Sequence, residues 1–196
     1  MITIRTNTFE TNSSSTHSLV IATSKDDMDN LKCHLSYWYD DKEIEEKINE
    51  LDIHLRERYS RNEIYRSLIS IGASLTTKPF EFDGLYLNLS CVNEAEFDFG
   101  GRFHLYNDPA HKILFVLTML EDPCGLNDND FDEDDYYYKR FMDFLNSELY
   151  IKKVIPPQNG WTGIDHQSRE DIIEQVKYNM EEFVLRKDYI LLLDHD

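Results

Sequence analysis

A hydroxyl-rich loop, residues 8 to 18, holds the densest set of side chains that could do chemistry. It reads Thr-Phe-Glu-Thr-Asn-Ser-Ser-Ser-Thr-His-Ser, and short apolar runs typical of strands flank it on both sides. Hydroxyls and backbone amides at this density can bind an anion such as a phosphate, and a histidine beside them can act as an acid or a base. The candidate catalytic or phosphate-binding residues of this loop are Ser13, Ser14, Ser15, His17 and Ser18. The other interpretation is a polar loop whose hydroxyls satisfy its own backbone.

A second polar segment, residues 164 to 168, stands just before a predicted amphipathic helix. An anion at that position would meet unpaired backbone amides and the positive end of the helix dipole. His166 could act on it, with Asp165 orienting the imidazole ring, and Ser168 is the third candidate of this group. A simpler interpretation is that Ser168, with Asp171 three residues later, caps the helix. The sequence leaves open whether the two histidine motifs meet in space.

The segment from Glu121 to Asp135 contains eight acidic residues and neither lysine nor arginine. It is not an EF-hand, because counting from Asp128 puts Glu133 and Lys139 where glycine and glutamate are required. We expect either a solvated acidic loop at about 121–135 or a surface that imitates the phosphate backbone of a nucleic acid. In the second case the acidic face of the predicted helix at 41–50 would belong to the same surface. Three tyrosines follow and could anchor a partner. The candidate partner-binding residues are Asp128, Asp130, Asp132, Glu133, Asp134, Asp135, Tyr136, Tyr137 and Tyr138.

The charge of the chain limits its partners more than any motif does. The 196 residues carry a formal net charge of −18, which opposes direct binding to nucleic acid or to an anionic membrane and favours a basic partner. The three cysteines lie far apart and no Cys-x-x-Cys pair occurs, so we predict reduced cysteines, no metal site and no cofactor. The N-terminus lacks the apolar core of a signal peptide, and we expect a cytoplasmic protein.

The periodicity predicts a single α+β domain, mainly an antiparallel sheet packed against several helices. Asp108 and Pro109 are typical of a helix start, and the helix that follows, to about residue 120, is apolar nearly all round and is expected to be central. Further helices are expected at about 24–31, 40–60, 62–71, 141–149 and 168–184, with Asn62 capping the third of them. Strands are expected at 2–5, 18–23, 80–89, 94–103, 151–155 and 189–193.

Two of these segments also carry a family resemblance. The stretch from Thr8 to Ser18 resembles the N-terminal signature of a family of phage and prophage proteins of uncharacterised activity. The segment Gly163 to Ser168 (Gly-Ile-Asp-His-Gln-Ser) is similar to a second signature of the same group, and residues 96–100 and 112–120 are similar in kind. The resemblance implies a phage or mobile-element context and no particular catalytic role.

Two functional hypotheses follow. The first is an acidic accessory protein with an anti-defence role, an anti-CRISPR-like inhibitor that mimics nucleic acid. It would bind a basic host protein that handles nucleic acid, such as a defence effector. The alternative is a small enzyme or a nucleotide- or phosphate-binding protein that uses the loop at 11–18 together with the motif at 164–168.

Overall fold

The computed structural model of the chain describes residues 25–51, 53–77, 84–92, 103–121, 131–158 and 179–193. Its described helices are α1 (Lys25–Leu35), α2 (Asp41–Asn49), α3 (Arg61–Ser70), α4 (Pro109–Glu121), α5 (Phe131–Leu149) and α6 (Met180–Leu185). Its described strands are β1 (Ser74–Thr76), β2 (Leu85–Asn88), β3 (His104–Tyr106), β4 (Ile151–Ile155) and β5 (Leu191–Leu193). The α+β class is therefore confirmed. Within these ranges, no helix combines the length and the apolar character needed to cross a membrane.

Helix α4 lies at the centre of the main hydrophobic core, as its apolar sequence predicted. The Asp108 carboxylate accepts hydrogen bonds of 3.1 Å from the amides of Ala110 and His111, which caps the helix. Every residue from Ile113 to Leu117 is almost completely buried, so the helix is covered on all sides. It contacts α3, α5 and α6. A helix that is apolar on every side is expected to be buried on every side, whereas an amphipathic helix buries only one face.

The larger sheet has the order β1–β2–β4 and covers one side of this core. Strands β1 and β2 pair antiparallel, whereas β2 and β4 pair parallel, with Leu87 opposite Val154. Parallel strands need a crossover connection, and here that connection includes α4 and α5. The sheet is therefore mixed rather than purely antiparallel. Strand β4 matches the predicted segment 151–155.

A smaller core lies between the α1–α2 hairpin and the two-stranded antiparallel sheet β3–β5. The rings of Tyr39 and Phe103 are 4.5 Å apart at its centre. Side chains alternate along a strand, and accordingly Leu191 belongs to the main core while its neighbour Leu192 belongs to the smaller one. Strand β5 thus contributes to both cores and holds the α1–α2 hairpin on the body of the protein.

The predicted helix at 40–60 is too long, because α2 ends at Asn49 and Leu55 is 67% exposed. The backbone beyond it makes long-range pairs instead: the Tyr59 amide donates to the Leu185 carbonyl at 2.7 Å. Arg56 adopts a left-handed φ of 63°, which no helix interior allows. The predicted cap at Asn62 is also wrong, since Ser60 caps α3 in a capping box with Glu63.

Both ends of the acidic segment predicted as a loop at 121–135 are helical. Glu121 ends α4, and α5 already begins at Phe131, ten residues before the predicted helix at 141–149. Acidic residues such as those at 132–135 are favoured in a first helical turn because the helix dipole is positive there. The strands predicted at 2–5 and 18–23, the strand predicted at 94–103 up to residue 102, and the start of the helix predicted at 168–184 lie outside the described residues.

Candidate functional site

A group of buried charges lies where α4 meets the segment that follows α6. Lys112 is completely buried, and its Nζ donates a 2.8 Å hydrogen bond to the backbone carbonyl of Arg186. The ring centroids of Tyr59 and Phe183 lie 5.7 and 5.6 Å from the same nitrogen. Burial lowers the pKa of the Lys112 ammonium to about 7, although the carboxylates of Asp108 and Asp188 oppose this effect.

Asp188 is the buried anion of this group. Its Oδ1 accepts a 2.8 Å hydrogen bond from Arg186 Nε, and its Oδ2 accepts one from the other arm of the same guanidinium. The Arg56 amide donates to Oδ2 at 3.1 Å. Burial acts to raise the pKa of the Asp188 carboxyl, but these donors outweigh it and the pKa lies below its usual value. The pair is bidentate, the strongest geometry for this type of contact.

A third charge, Lys187, also lies near the ring of Tyr59. Its Nζ lies 3.0 Å from Glu63 Oε1 and 5.3 Å from the Tyr59 ring centroid. The Tyr59 hydroxyl donates to the Asn107 carbonyl at 2.9 Å, and Asn107 Nδ2 donates to the Lys187 carbonyl at 3.3 Å. Two ammonium groups therefore lie near the Tyr59 ring, and a hydrogen bond fixes its hydroxyl. These contacts tie together three segments that are distant in sequence.

Next to this group, Asp108 also binds two side chains. Ser67 Oγ donates to Asp108 Oδ1 at 2.9 Å, and His111 Nδ1 lies 2.6 Å from Oδ2. The His111 ring stacks on Tyr106 with centroids 4.1 Å apart. Partial burial acts to raise the pKa of Asp108, but the contacts with His111 and Ser67 lower it overall. Although serine, histidine and aspartate meet here, the hydroxyl donates to the carboxylate, whereas a catalytic triad needs it to donate to the imidazole.

The chemistry of this cluster is structural. Lys112 and Asp188 have no exposed surface, so a substrate would have no route to either side chain. Each group has partners that match its charge or its hydrogen-bonding capacity, which is the arrangement expected of a buried polar network that fixes one packing of α4 against the C-terminal segment. Among the described residues, no group of three or more histidine, cysteine and acidic side chains could hold a metal ion.

The second candidate is a surface, the α1–α2 hairpin. Over residues 25 to 50 it carries nine acidic residues and four lysines, a net charge of −5 with histidine neutral. Asp41 and Glu45 are exposed on α2, and Glu50 is exposed at its C-cap. Two adjacent aromatic side chains stand at the tip of the hairpin, Tyr37 at 78% and Trp38 at 57% exposure. Acidic charge next to exposed aromatic surface is a combination suited to protein binding.

Most of the residues predicted to form a site lie outside the described ranges. These are Ser13, Ser14, Ser15, His17, Ser18, Asp128, Asp130, Asp165, His166 and Ser168. Asp132, Glu133, Asp134 and Asp135 lie on the first turns of α5. Of the three predicted tyrosine anchors, Tyr136 is 60% exposed, whereas Tyr137 and Tyr138 are half-buried and pack against the main core.

The sequence interpretation included the acidic face of residues 41–50, but it missed the buried network and the exposed aromatic pair at the tip of the hairpin. A signal for the buried network was present, since Lys112 places an ionisable amine in a largely apolar helix. A signal for the hairpin tip was also present in three consecutive aromatic residues, Tyr37 to Tyr39, between two acidic helical segments. The sequence could not show that Tyr39 would pack in the smaller core while Tyr37 and Trp38 are exposed, because the conformation of the turn decides this.

Comparison of the chain with models of protein families, with curated proteins and with solved structures found no match.

Proposed function

We propose that this protein is an acidic binding protein that occupies a basic surface of a host protein that handles nucleic acid. In this proposal it acts in the host cytoplasm as a phage or mobile-element accessory factor with an anti-defence, anti-CRISPR-like role. The observation that carries the proposal is the net charge of −18, part of which lies on the exposed carboxylates of α2. Carboxylates on a rigid helix can take the place of phosphates in a basic groove.

The described residues support a binder better than an enzyme. The titratable groups with the clearest pKa shifts, Lys112 and Glu63, belong to the structural network rather than to an open cleft. Perturbed groups in a cleft would be the mark of an active site. The acidic hairpin, in contrast, is exposed and is held by its own small core.

The test is a pull-down from host lysate with the tagged full chain, washed at low and then at high salt. We expect a basic protein to be retained at low salt and released as salt rises, because exposed charge pairs are screened. Two variants, each with one set of carboxylates replaced by amides, show which acidic surface contacts the partner. One changes Glu45, Glu46 and Glu50 to glutamine, and the other changes the six acids at 128, 130 and 132–135 to their amides.

A matched variant removes three exposed carboxylates elsewhere, with Asp143→Asn, Glu148→Gln and Glu181→Gln. We expect it to retain the partner, whereas at least one of the two neutralised variants loses it. Retention by both neutralised variants at the wild-type level would overturn the proposal. The absence of any basic partner at either salt would also overturn it and would favour a search for a phosphate-bearing ligand of the loop at 11–18.

A further inference from the structure

We infer that Tyr37 and Trp38, at the tip of the α1–α2 hairpin, form a docking site for arginine side chains on a basic protein surface. The inference rests on the proposed function and names the chemistry that its interface would recognise. Both side chains are largely exposed although they are among the largest apolar groups of the chain. A planar guanidinium can stack on such rings while it pairs with a carboxylate beside them.

The turn at the tip is held by hydrogen bonds within the chain itself. The Trp38 and Tyr39 amides each donate to the Leu35 carbonyl at 3.0 Å, and Ser36 Oγ donates to the Cys33 carbonyl at 2.9 Å. Tyr39 then packs on Phe103 in the smaller core and fixes the turn from below. Because the turn is already ordered, binding at Tyr37 and Trp38 would cost little conformational entropy of the backbone.

Two carboxylates follow the aromatic pair in the sequence, at the start of α2. Asp40 caps α2 by accepting a 2.9 Å hydrogen bond from the Lys42 amide, and Asp41 follows in the first turn. Both are exposed. Lys42 is partly neutralised by Glu46, at 3.5 Å. An incoming cation would thus meet aromatic faces and anionic groups together.

The same charges argue against the other occupants of an exposed aromatic pair. Nucleic acid and anionic lipid both carry negative charge, and the hairpin at −5 would repel them. A second copy of this chain carries −18 and would be repelled as well. Arginine is favoured over lysine because its guanidinium is planar, is more weakly hydrated and stacks on aromatic faces.

The experiment measures the binding of fluorescent nona-arginine and nona-lysine peptides to the full chain by anisotropy at low ionic strength. We expect nona-arginine to bind about three- to tenfold more tightly than nona-lysine. The Tyr37→Ser/Trp38→Ser variant should lose this preference, and Ile69→Ser should keep it, although Ile69 is an apolar side chain of similar exposure at 59%. The Tyr37→Phe/Trp38→Phe variant retains the aromatic faces and should keep most of the preference.

A further variant separates the contribution of the carboxylates from that of the aromatic rings. Asp40→Asn/Asp41→Asn keeps a residue type that can cap α2 but removes two charges, and it should weaken both peptides by a similar factor. Equal affinity of the two peptides in wild type, or a preference that survives Tyr37→Ser/Trp38→Ser, would overturn the inference and leave the charge-based proposal standing. No binding of either peptide would contradict both. Self-association in light scattering that the serine variant abolishes would identify a second copy as the occupant and overturn the inference.

Discussion

Lys112 Nζ donates a 2.8 Å hydrogen bond to the backbone carbonyl of Arg186, which joins the central helix directly to the residue that follows α6. The lysine is completely buried, and its Nζ lies near the aromatic rings of Tyr59 and Phe183. The same Arg186 holds Asp188 through its guanidinium. Arg186 thus accepts a hydrogen bond from Lys112 through its backbone carbonyl and forms an ion pair with Asp188 through its side chain.

The buried amine makes stability depend on pH. The pKa of Lys112 is lowered from 10.5 to about 7 in the folded chain, so between these values the unfolded chain binds more protons. The free energy of unfolding therefore rises with pH over this window, by at most about 1.4 kcal/mol per pH unit for one proton. Lys112→Met should remove that rise. Urea denaturation of both proteins from pH 7 to pH 9.5 measures it.

The exposed Lys139→Met variant is the control and should parallel wild type across the same range. If Lys112→Met also parallels wild type, Lys112 does not titrate in the way that its burial requires.

Removing only one member of the Arg186–Asp188 ion pair should destabilise the fold. Asp188→Asn leaves the guanidinium without its anion, and we expect a loss of about 3 kcal/mol in the free energy of unfolding at pH 7. The double variant Arg186→Met/Asp188→Leu should be more stable than Asp188→Asn, since no unpaired charge remains. Thermal and urea denaturation of the three proteins measure both differences. A double variant less stable than Asp188→Asn would contradict this account.

The capping box of α3 should stabilise the fold by an amount that depends on pH in the acid range. Hydrogen bonds from Ser60 and the contact with Lys187 lower the pKa of Glu63 from 4.5 to about 2. A depressed carboxylate stabilises the fold above its unfolded pKa, and this contribution is lost as pH falls from about 4.5 to 2. Glu63→Gln should therefore be less stable than wild type at pH 7, and the difference should shrink by pH 2.5. Ser60→Ala should cost about 1 kcal/mol at pH 7.

Denaturant titrations at pH 7, 5 and 2.5 test the prediction. A difference between Glu63→Gln and wild type that stays constant over this range would show that the charge of Glu63 contributes nothing.

Gly84, just before β2, should not tolerate a side chain. Its φ is +145°, and a Cβ placed there would lie 2.6 Å from Lys152 Cγ and 3.0 Å from the Tyr150 carbonyl oxygen. The lysine can move but the carbonyl belongs to the backbone, so Gly84→Ala should destabilise the fold by about 1–3 kcal/mol. Adding Lys152→Ala should restore only part of this loss. Full restoration would mean that the backbone conformation costs nothing.

Local patterns in the sequence determined the α+β class, the capped start and all-round burial of α4, and strand β4. Each of these depends on neighbours in the chain: Asp108 caps amides two and three residues away, and apolar spacing reports burial directly. The charge, and with it the class of partner proposed, was also a property of sequence alone.

Tertiary structure decided the rest. Apolar spacing continues past Asn49 to Leu51 and Leu55, but pairing of residues 57–59 with 185–187 takes the backbone out of the helix. Lys112 bonds to the Arg186 carbonyl and Asp188 accepts from the Arg56 amide, partners that are 74 and 132 residues away in the chain, and no local pattern encodes such contacts. Likewise, Tyr39 is partly buried and Tyr37 and Trp38 are exposed because the turn and Phe103 give three similar residues different surroundings.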